Sequence, residues 1–237
     1  MEKEQYFGVN VSPLNYEEII QDLKTRIALR EKSTIIAVNP EKVMAAEKNA
    51  ELMELINSST YQIPDGVGIL LASKLKKGSI RSRVTGVDMM DRLLKFAADE
   101  GHGVFLYGAK EEVVQKAAEN IKAKYPAIHI SGTQNGYEKD AGKVVEKINA
   151  AKPDLLFVAM GSPRQELWIR EHMNHLHPVV FQGVGGSFDV FAGHVQRAPE
   201  FYRKLGLEWL YRLMKEPSRL KRQMALPKFL MRVLFSK

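Results

Sequence analysis

The feature that most constrains the fold is a repeated unit of short apolar strand, glycine-containing turn and helix. The strands Thr34–Val38, Val104–Tyr107 and Leu155–Ala159 are continuous apolar runs, not alternating ones. Continuous runs are typical of strands buried on both faces, and alternating strands and helices favour a parallel sheet. We therefore predict an α/β protein with a Rossmann-like parallel sheet covered by helices on both faces.

The alternation stops near Val195, and the remaining chain has a helical pattern interrupted by Pro217 and Pro227. Residues 195–237 carry eleven basic and three acidic side chains, a net charge of +8, against 24 basic and 25 acidic in the rest of the chain. We therefore divide the chain into a Rossmann-like catalytic domain, 1–195, and a basic helical appendage, 196–237. A basic appendage favours phosphates, but this one lacks a nucleic-acid-binding signature and interleaved stacking aromatics, so nucleic acid is not an expected partner.

The appendage also carries apolar side chains at helical spacing, which predicts amphipathic helices over residues 199–237. Such a stripe can contact an anionic membrane, pack on the body of the protein, or pack on another subunit of a homo-oligomer. Three arginines are candidates for contact with the membrane or with a lipid diphosphate: Arg212, Arg219 and Arg222. The apolar positions are Leu207, Leu210, Tyr211 and Met214, and then Leu226, Phe229, Leu230, Val233 and Leu234.

Several chemistries are excluded by what the sequence lacks. There is no cysteine, so disulfides and thiolate metal sites are excluded. There is no Asp-x-Asp and no HExxH, and we interpret His172, His175 and His177 as a solvated helix end. The P-loop pattern is absent, and Phe188 stands where GxGxxG needs its last glycine. We expect no metal and no cofactor.

The first candidate site lies in the stretch Thr60–Asp88. Asp65 follows a short apolar strand that ends at Pro64, and it precedes a predicted helix. Ligands of open α/β sheets bind at the carboxyl ends of the strands. Arg83 follows, and Thr85 and Asp88 open the next helix. This combination suits an anionic substrate and a proton acceptor, while a capped turn with surface arginines is the alternative.

A second set of candidates lies further along the chain. Gly108, Gly185 and Gly186 follow strands, where their N–H groups can cradle a nucleotide or simply form turns. The segment GSPRQELW begins a helix after a buried strand and supplies polar side chains that suit a hydroxyl-rich ligand. Arg197 is a candidate phosphate ligand or a surface ion pair. The remaining candidates are Arg164, Gln165, Glu166 and Asp189.

Six segments together resemble the WecG/TagA/CpsF glycosyltransferases, family 26. They occur in order along about the whole chain, as PDGVG, RVTGVD, LYGA, GSPRQELW, GGSFDVFAGHVQRAPE and GLEWLYRLMKEPSRLKRQ. The resemblance implies an inverting, metal-independent transfer of N-acetylmannosamine from UDP-ManNAc to undecaprenyl-diphosphate-linked GlcNAc. The implied location is cytoplasmic, peripheral on the inner face of the membrane, and the implied product is the β-linked disaccharide lipid of wall teichoic acid or a related surface polymer.

By motif match, Asp65 falls on the proposed base of the family, and Asn39, Arg83 and Gln165 fall on other pocket positions. The mechanism that we expect is a single in-line displacement, in which Asp65 accepts the acceptor's proton while Arg83, with Arg197 or Arg164, offsets charge on the departing UDP. The chain departs from the family at Ala37, where relatives often carry threonine, and an alanine side chain cannot hydrogen-bond a ligand. The alternative from another class is a non-catalytic nucleotide-sugar or polyanion-binding module.

Two further expectations concern targeting. The N-terminal residues MEKEQYFG lack an apolar core, so no signal peptide is expected. No apolar run approaches the roughly 20 residues of a membrane-spanning helix.

Overall fold

The structure is a computed structural model that describes residues 2–204, 206–215, 220 and 224–236. Strands and helices alternate through most of it. The strands are β1 (Glu4–Tyr6), β2 (Val9–Val11), β3 (Ser33–Val38), β4 (Tyr61–Pro64), β5 (Gly103–Gly108), β6 (His129–Gln134), β7 (Leu155–Ala159) and β8 (Val180–Gly183). The helices are α1 (Tyr16–Ala28), α2 (Pro40–Ala46), α3 (Ala50–Asn57), α4 (Val67–Leu75), α5 (Gly86–Glu100), α6 (Glu111–Lys124), α7 (Ala141–Ala151), α8 (Arg164–His172), α9 (Ser187–Phe191), α10 (Glu200–Lys204), α11 (Glu208–Lys215) and α12 (Ala225–Phe235).

A six-stranded sheet has the order β4-β3-β8-β7-β5-β6 and is flanked by helices. The pairs β3–β8, β8–β7, β7–β5 and β5–β6 are all parallel. The predicted α/β fold with a Rossmann-like parallel sheet is therefore confirmed. In the register of the central strands, Gly108 pairs with Ala159 and Val158 pairs with Gly183. The carboxyl ends of β5, β7 and β8 consequently lie at one edge of the sheet.

The chain divides into two compact units, and the division passes through β3. The first unit comprises Met1–Asn15, Ala37–Thr85 and Arg197–Lys237, and the second comprises Tyr16–Ile36 and Gly86–Gln196. The core of the second unit forms around the central strands, where side chains of β5, β7 and β8 pack against α7 and α8. Its fully buried members include Phe105, Leu156, Val158, Phe181 and Ile148.

The first unit opens with an antiparallel hairpin that the sequence pattern does not reveal. In it, Glu4 pairs with Val11 and Tyr6 pairs with Val9. The turn places Phe7 at φ 50° and Gly8 at φ 87°. Hairpin turns of this kind favour Asn-Gly or Asp-Gly, so Phe7-Gly8 is a weak signal, and strands of three residues are too short to show alternation.

One face of α12 packs inside the first unit. Phe229 and Val233 are buried, and the ring centroid of Phe229 lies 5.8 Å from that of Tyr6 and 5.9 Å from that of Phe7. This part of the apolar stripe therefore packs on the body of the protein, which is one of the three interpretations open from the sequence. Leu226 belongs to the same packing, since a Cβ placed on Gly68 would lie 2.5 Å from its Cδ1.

The bounds of the appendage helices differ slightly from those predicted. The helix predicted over Pro227–Phe235 begins two residues earlier, at Ala225, and holds Pro227 in its first turn. A proline there loses no helical hydrogen bond, since the first N–H groups of a helix have no partner within it. Most of the segment 218–225, predicted as a helix, lies outside the described residues. In the part of the chain that is described, no helix is both long and apolar enough to cross a membrane.

Candidate active site

Asp65 lies immediately after β4 in the first unit. Its backbone N–H donates to the carbonyl of Val38, at the end of the neighbouring strand, over 2.8 Å. Gly66 follows at φ 94°, a conformation that other residues rarely adopt, and it turns the chain into α4. A Cβ on Gly66 would lie 3.9 Å from the Cβ of Asn39. The two strand ends thus bring Asn39 and Asp65 close together.

Asn39 also determines where α2 begins. Its Oδ1 accepts a hydrogen bond of 2.9 Å from the N–H of Lys42, and Pro40 occupies the first helical position. The cap fixes the rotamer of the Asn39 side chain next to the Asp65 turn. Ala37, two residues earlier, is half-buried near the end of β3.

The segment 83–85 runs beside the same turn. The N–H of Val84 donates to the carbonyl of Pro64 over 2.9 Å, which fixes the half-buried Arg83 and the buried Thr85 on either side of it. These backbone bonds therefore bring together the four residues that we call the Asp65 group: Asn39, Asp65, Arg83 and Thr85.

Arg83 has a partner that sequence reasoning missed. Its Nη2 donates to Oε2 of Glu208, in the first turn of α11, over 2.8 Å. The sequence gives little sign of it: Glu208 is one of three acidic residues in the basic appendage, and its place also fits an ordinary carboxylate at a helix N-terminus.

The loop that leads to Arg83 is held by Glu4 of β1. Its Oε1 accepts hydrogen bonds from the hydroxyl of Ser73 at 2.9 Å and from the N–H of Ile80 at 2.8 Å, as well as from Ser79. The hydroxyl of Tyr6 donates to its other oxygen. Partial burial raises the pKa of the Glu4 carboxyl, but these four hydrogen-bonding residues outweigh burial and the net pKa is lowered. Burial and the Glu4 carboxylate raise the pKa of Tyr6.

We expect Glu4→Gln to destabilise the protein by about 2 kcal/mol near pH 7, because an amide cannot accept every hydrogen bond that the carboxylate accepts. A lowered carboxyl pKa contributes stability above the unfolded-state value of about 4.3, and this contribution is lost as the pH falls through the folded-state pKa. The difference between parent and variant in urea unfolding should therefore shrink below about pH 4. Glu2→Gln, at an exposed position in the same segment, is the control; equal stability of parent and Glu4→Gln at pH 7 would contradict the role.

A second cluster lies in the second unit around Gln165, which is 3% exposed. Its Oε1 accepts a hydrogen bond of 2.9 Å from the N–H of Gly185, and its Nε2 lies 3.2 Å from Oε1 of Glu166. A Cβ on Gly183 would lie only 2.6 Å from that Nε2. The amide of Gln165 thus fixes the glycine-rich loop after β8 against the start of α8.

Asp189 completes this cluster. It lies in the first turn of α9, half-buried, and a Cβ on Gly186 would lie 3.8 Å from its Oδ2. The predicted residues that come together here are called the Gln165 group: Gln165, Glu166, Gly185, Gly186 and Asp189.

Gly108 forms a separate turn at the end of β5. Its φ is 119°, and a Cβ would lie 2.3 Å from the carbonyl oxygen of Ala159, so only glycine fits. The N–H of Ala109 donates to that same oxygen over 2.7 Å, and the carbonyl of Ala109 accepts from Gly136 over 2.9 Å. Beyond Gly136 lies a shallow cavity of ≈ 420 Å³, lined by Gln134, Asn135, Tyr137, Glu138 and Lys139.

Tyr137 is a candidate that sequence reasoning missed. Its side chain is 69% exposed, beside the Gly108 turn. An exposed aromatic ring offers a face on which a nucleobase can stack. The turn Gln134-Asn135-Gly136 was visible in the sequence, but the exposure of the following tyrosine was not.

The other predicted residues lie outside these clusters. Asp88 is in the first turn of α5, whose start is tied to β8 by a hydrogen bond of 2.8 Å from Gln182 Nε2 to the carbonyl of Gly86. Arg164 is exposed, and its Nη2 donates to the carbonyl of Met160 over 2.8 Å. Arg197 is half-buried in the first unit. Arg212 lies in α11, but its side chain is not described. Arg219 and Arg222 lie outside the described residues altogether.

Within residues 2–204, 206–215, 220 and 224–236, no group of three or more His, Cys, Asp and Glu side chains is arranged to hold a metal ion. Independence of metal stays a prediction, to be tested by activity.

The parallel sheet, with polar groups at its strand ends, defines the chain as a Rossmann-like α/β protein of the kind that binds ligands at the carboxyl edge. The profile of the Glycosyl transferase WecG/TagA/CpsF family matches residues 4–237. The chain belongs to this family of glycosyltransferases.

Two relatives are similar over most of their length. One, from Bacillus subtilis (strain 168), is 41% identical over 203 residues, which are 85% of this chain and 79% of the relative. The other, from Bacillus spizizenii, is 41% identical over 201 residues, 84% of this chain and 78% of the relative. Each is named N-acetylglucosaminyldiphosphoundecaprenol N-acetyl-beta-D-mannosaminyltransferase.

Proposed function

We propose that the chain transfers N-acetylmannosamine from UDP-ManNAc to GlcNAc linked to undecaprenyl diphosphate, forming a β-1,4 bond. The product belongs to an early step of wall teichoic acid synthesis or of a related surface polymer. One observation carries the proposal: the Asp65 motif shared with the family lies at a strand end as a half-buried carboxylate beside the segment that holds Arg83. The name of the two relatives supports the choice of donor sugar and acceptor.

The mechanism that these groups support is a single in-line displacement. The acceptor hydroxyl gives its proton to the Asp65 carboxylate while its oxygen forms the bond to the anomeric carbon. The bond between the anomeric carbon and the UDP oxygen breaks on the opposite face, so the configuration inverts. UDP leaves with the electron pair of that bond, and Arg83, with Arg197 or Arg164 as further candidates, offsets the charge that grows on its diphosphate.

We assign nucleotide binding to the second unit. The Gly108 turn and the loop Gly183–Gly186 follow strand ends, and residues without side chains let a nucleotide approach the backbone closely. Asp189 offers a carboxylate for ribose or sugar hydroxyls, as acidic residues do in other Rossmann-like folds. In this assignment Gln165 acts by holding the loop at Gly185, because its amide oxygen is already used by that N–H.

The test is release of UDP from UDP-ManNAc with and without a GlcNAc-diphosphate-lipid acceptor. The proposed enzyme releases UDP only when the acceptor is present. The alternative, a nucleotide-sugar or polyanion-binding module, binds UDP-ManNAc but releases no UDP under either condition, which separates the two classes.

The acceptor's long lipid requires the enzyme to work at a membrane surface, and we propose a peripheral position on the inner, cytoplasmic face. Several large apolar side chains of the first unit support it. Those of α4 are Leu71, 41% exposed, and Leu75, 51% exposed, and those of α12 are Met231, Leu234 and Phe235, 61–78% exposed. Lys76 Nζ donates to the carbonyl of Ser236, so the ends of α4 and α12 meet. Basic residues near an anionic surface each contribute about 1 kcal/mol, which makes attachment reversible.

We expect the full chain to float with liposomes that contain anionic lipid, and the double variant Leu234→Ser/Phe235→Ser to have a partition coefficient about 100-fold lower, since each buried apolar side chain is worth about 1.5–3 kcal/mol. Leu29→Ser, 64% exposed in the second unit, is the matched control. Point variants are preferable to truncation near Gln196, which would remove Phe229 from its contacts with Tyr6 and Phe7. Equal flotation of parent and double variant, or none at any lipid charge, would contradict membrane attachment by this surface.

A further inference from the structure

The contact between Arg83 and Glu208 joins the Asp65 group to the appendage. Nη2 of Arg83 and Oε2 of Glu208 are 2.8 Å apart, and the two side chains are only 17% and 10% exposed. Two groups of opposite charge that are largely removed from water are strongly coupled. Removing one of them leaves the other charge buried without this ion pair, which costs a large amount of free energy. A surface ion pair of two long, mobile side chains would not have this property.

The position of Glu208 is fixed independently of Arg83. The turn before α11 packs on the start of α4, since a Cβ on Gly206 would lie 3.2 Å from Cγ2 of Val67. Val67 is two residues after Asp65. The N–H of Leu207 donates to the carbonyl of Tyr202 over 2.8 Å, and the rings of Tyr202 and Tyr211 pack with centroids 5.4 Å apart. The carboxylate is therefore supplied by an anchored helix start, beside the Asp65 turn.

The geometry of the pair leaves Arg83 able to bind a second anion. Of the side-chain nitrogens of Arg83, only Nη2 donates to a described residue, whereas Glu208 has contacts beyond this pair. A guanidinium carries five N–H donors in a rigid plane, so an anchor at Nη2 directs those of Nη1 and Nε. A carboxylate that accepted hydrogen bonds from the remaining nitrogens as well would instead prevent Arg83 from binding a second anion.

We propose that Glu208 is a positioning residue: it holds the guanidinium of Arg83 in the orientation that binds the diphosphate of the nucleotide-sugar donor. The first turn of α11 is then part of the catalytic machinery through Arg83, in addition to any contact of the appendage with lipid. This inference rests on the proposed function, because it takes the departing UDP as the ligand of Arg83.

The test is a double-mutant cycle on the full chain with Glu208→Gln, Arg83→Ala and the combination. The readouts are kcat and KM for UDP-ManNAc, the Kd of UDP, and the thermal midpoint. Glu208→Gln should lower kcat/KM about 10-fold in the parent but less than about 2-fold in the Arg83→Ala background, since coupled residues are non-additive. Glu208→Asp should recover part of the loss, and Glu200→Gln, at an exposed position of α10, should behave as the parent.

Two results would overturn the positioning role. Equal losses from Glu208→Gln in both backgrounds would show that Glu208 acts independently of Arg83. Tighter UDP binding or faster transfer in Glu208→Gln would show that the carboxylate competes with the ligand. A parent that binds UDP but never transfers the sugar would refute the proposed function instead, and the coupling would then be read from the Kd of UDP in the same four proteins.

Discussion

Asp65→Asn should lower the rate of sugar transfer by about 10²-fold or more and leave the affinity for UDP-ManNAc unchanged. The amide has the shape of the carboxylate but cannot accept the proton of the acceptor hydroxyl. Two backbone hydrogen bonds of the turn do not involve this side chain: the N–H of residue 65 donates to Val38, and that of Val84 donates to Pro64. Single-turnover transfer and UDP-ManNAc binding by calorimetry are the two measurements.

The control for this variant is Asp99→Asn. Asp99 is exposed at the end of α5, where it pairs with Lys95, and its replacement should leave transfer unchanged. A turnover in Asp65→Asn equal to that of the parent would remove Asp65 from the role of base. A loss of donor binding equal to the loss of rate would assign it to binding instead.

Arg83→Ala should also lower transfer by about 10²-fold, the loss typical when one donor to a developing negative charge is removed. The expected loss is in kcat/KM for UDP-ManNAc, because the charge that Arg83 offsets grows on the departing diphosphate. Arg83→Lys should recover only part of the rate, since a lysine lacks the planar fork that Glu208 holds at one end. The thermal midpoint must be followed, because the substitution also removes the charge that pairs with Glu208.

Arg81→Ala is the matched control for Arg83→Ala. Arg81 is exposed two residues earlier in the same segment, and its Nη1 donates to the carbonyl of Gly78. Parallel transfer assays with EDTA test whether arginine does the work that a divalent cation does in other sugar transferases. Loss of activity in EDTA that Mg²⁺ restores would contradict this account, as would equal rates for Arg83→Ala and Arg81→Ala.

The parts of the site that follow from strand ends could be predicted from the sequence. In the first unit, Asp65 follows a short apolar run and a proline, which places it at a strand end. In the second unit, Gln165 and Gly185 each come after an apolar run, and the parallel pairing of β7 with β8 brings those two strand ends together. The same logic failed for the β1–β2 hairpin, whose strands are three residues long and whose turn contains phenylalanine.

Contacts between residues distant in the sequence could not be predicted in this way. Glu208 lies 125 positions after Arg83, and Glu4 lies 76 positions before Ile80. Neither acidic residue stands out by its neighbours. The periodicity of α12 predicted an amphipathic helix but not what covers its apolar face, because a 3.6-residue period is the same for a core, a subunit contact and a membrane.

The most direct test of the account is the product itself. The protein is incubated in EDTA with UDP-ManNAc and a short-chain GlcNAc-diphosphate lipid, and both UDP and the lipid product are quantified by mass spectrometry and NMR. The account predicts one UDP released per β-1,4-linked ManNAc-GlcNAc lipid formed, and no UDP without acceptor. The account would be contradicted if the folded protein, in detergent that keeps the lipid acceptor dispersed, bound UDP-ManNAc but formed no disaccharide lipid.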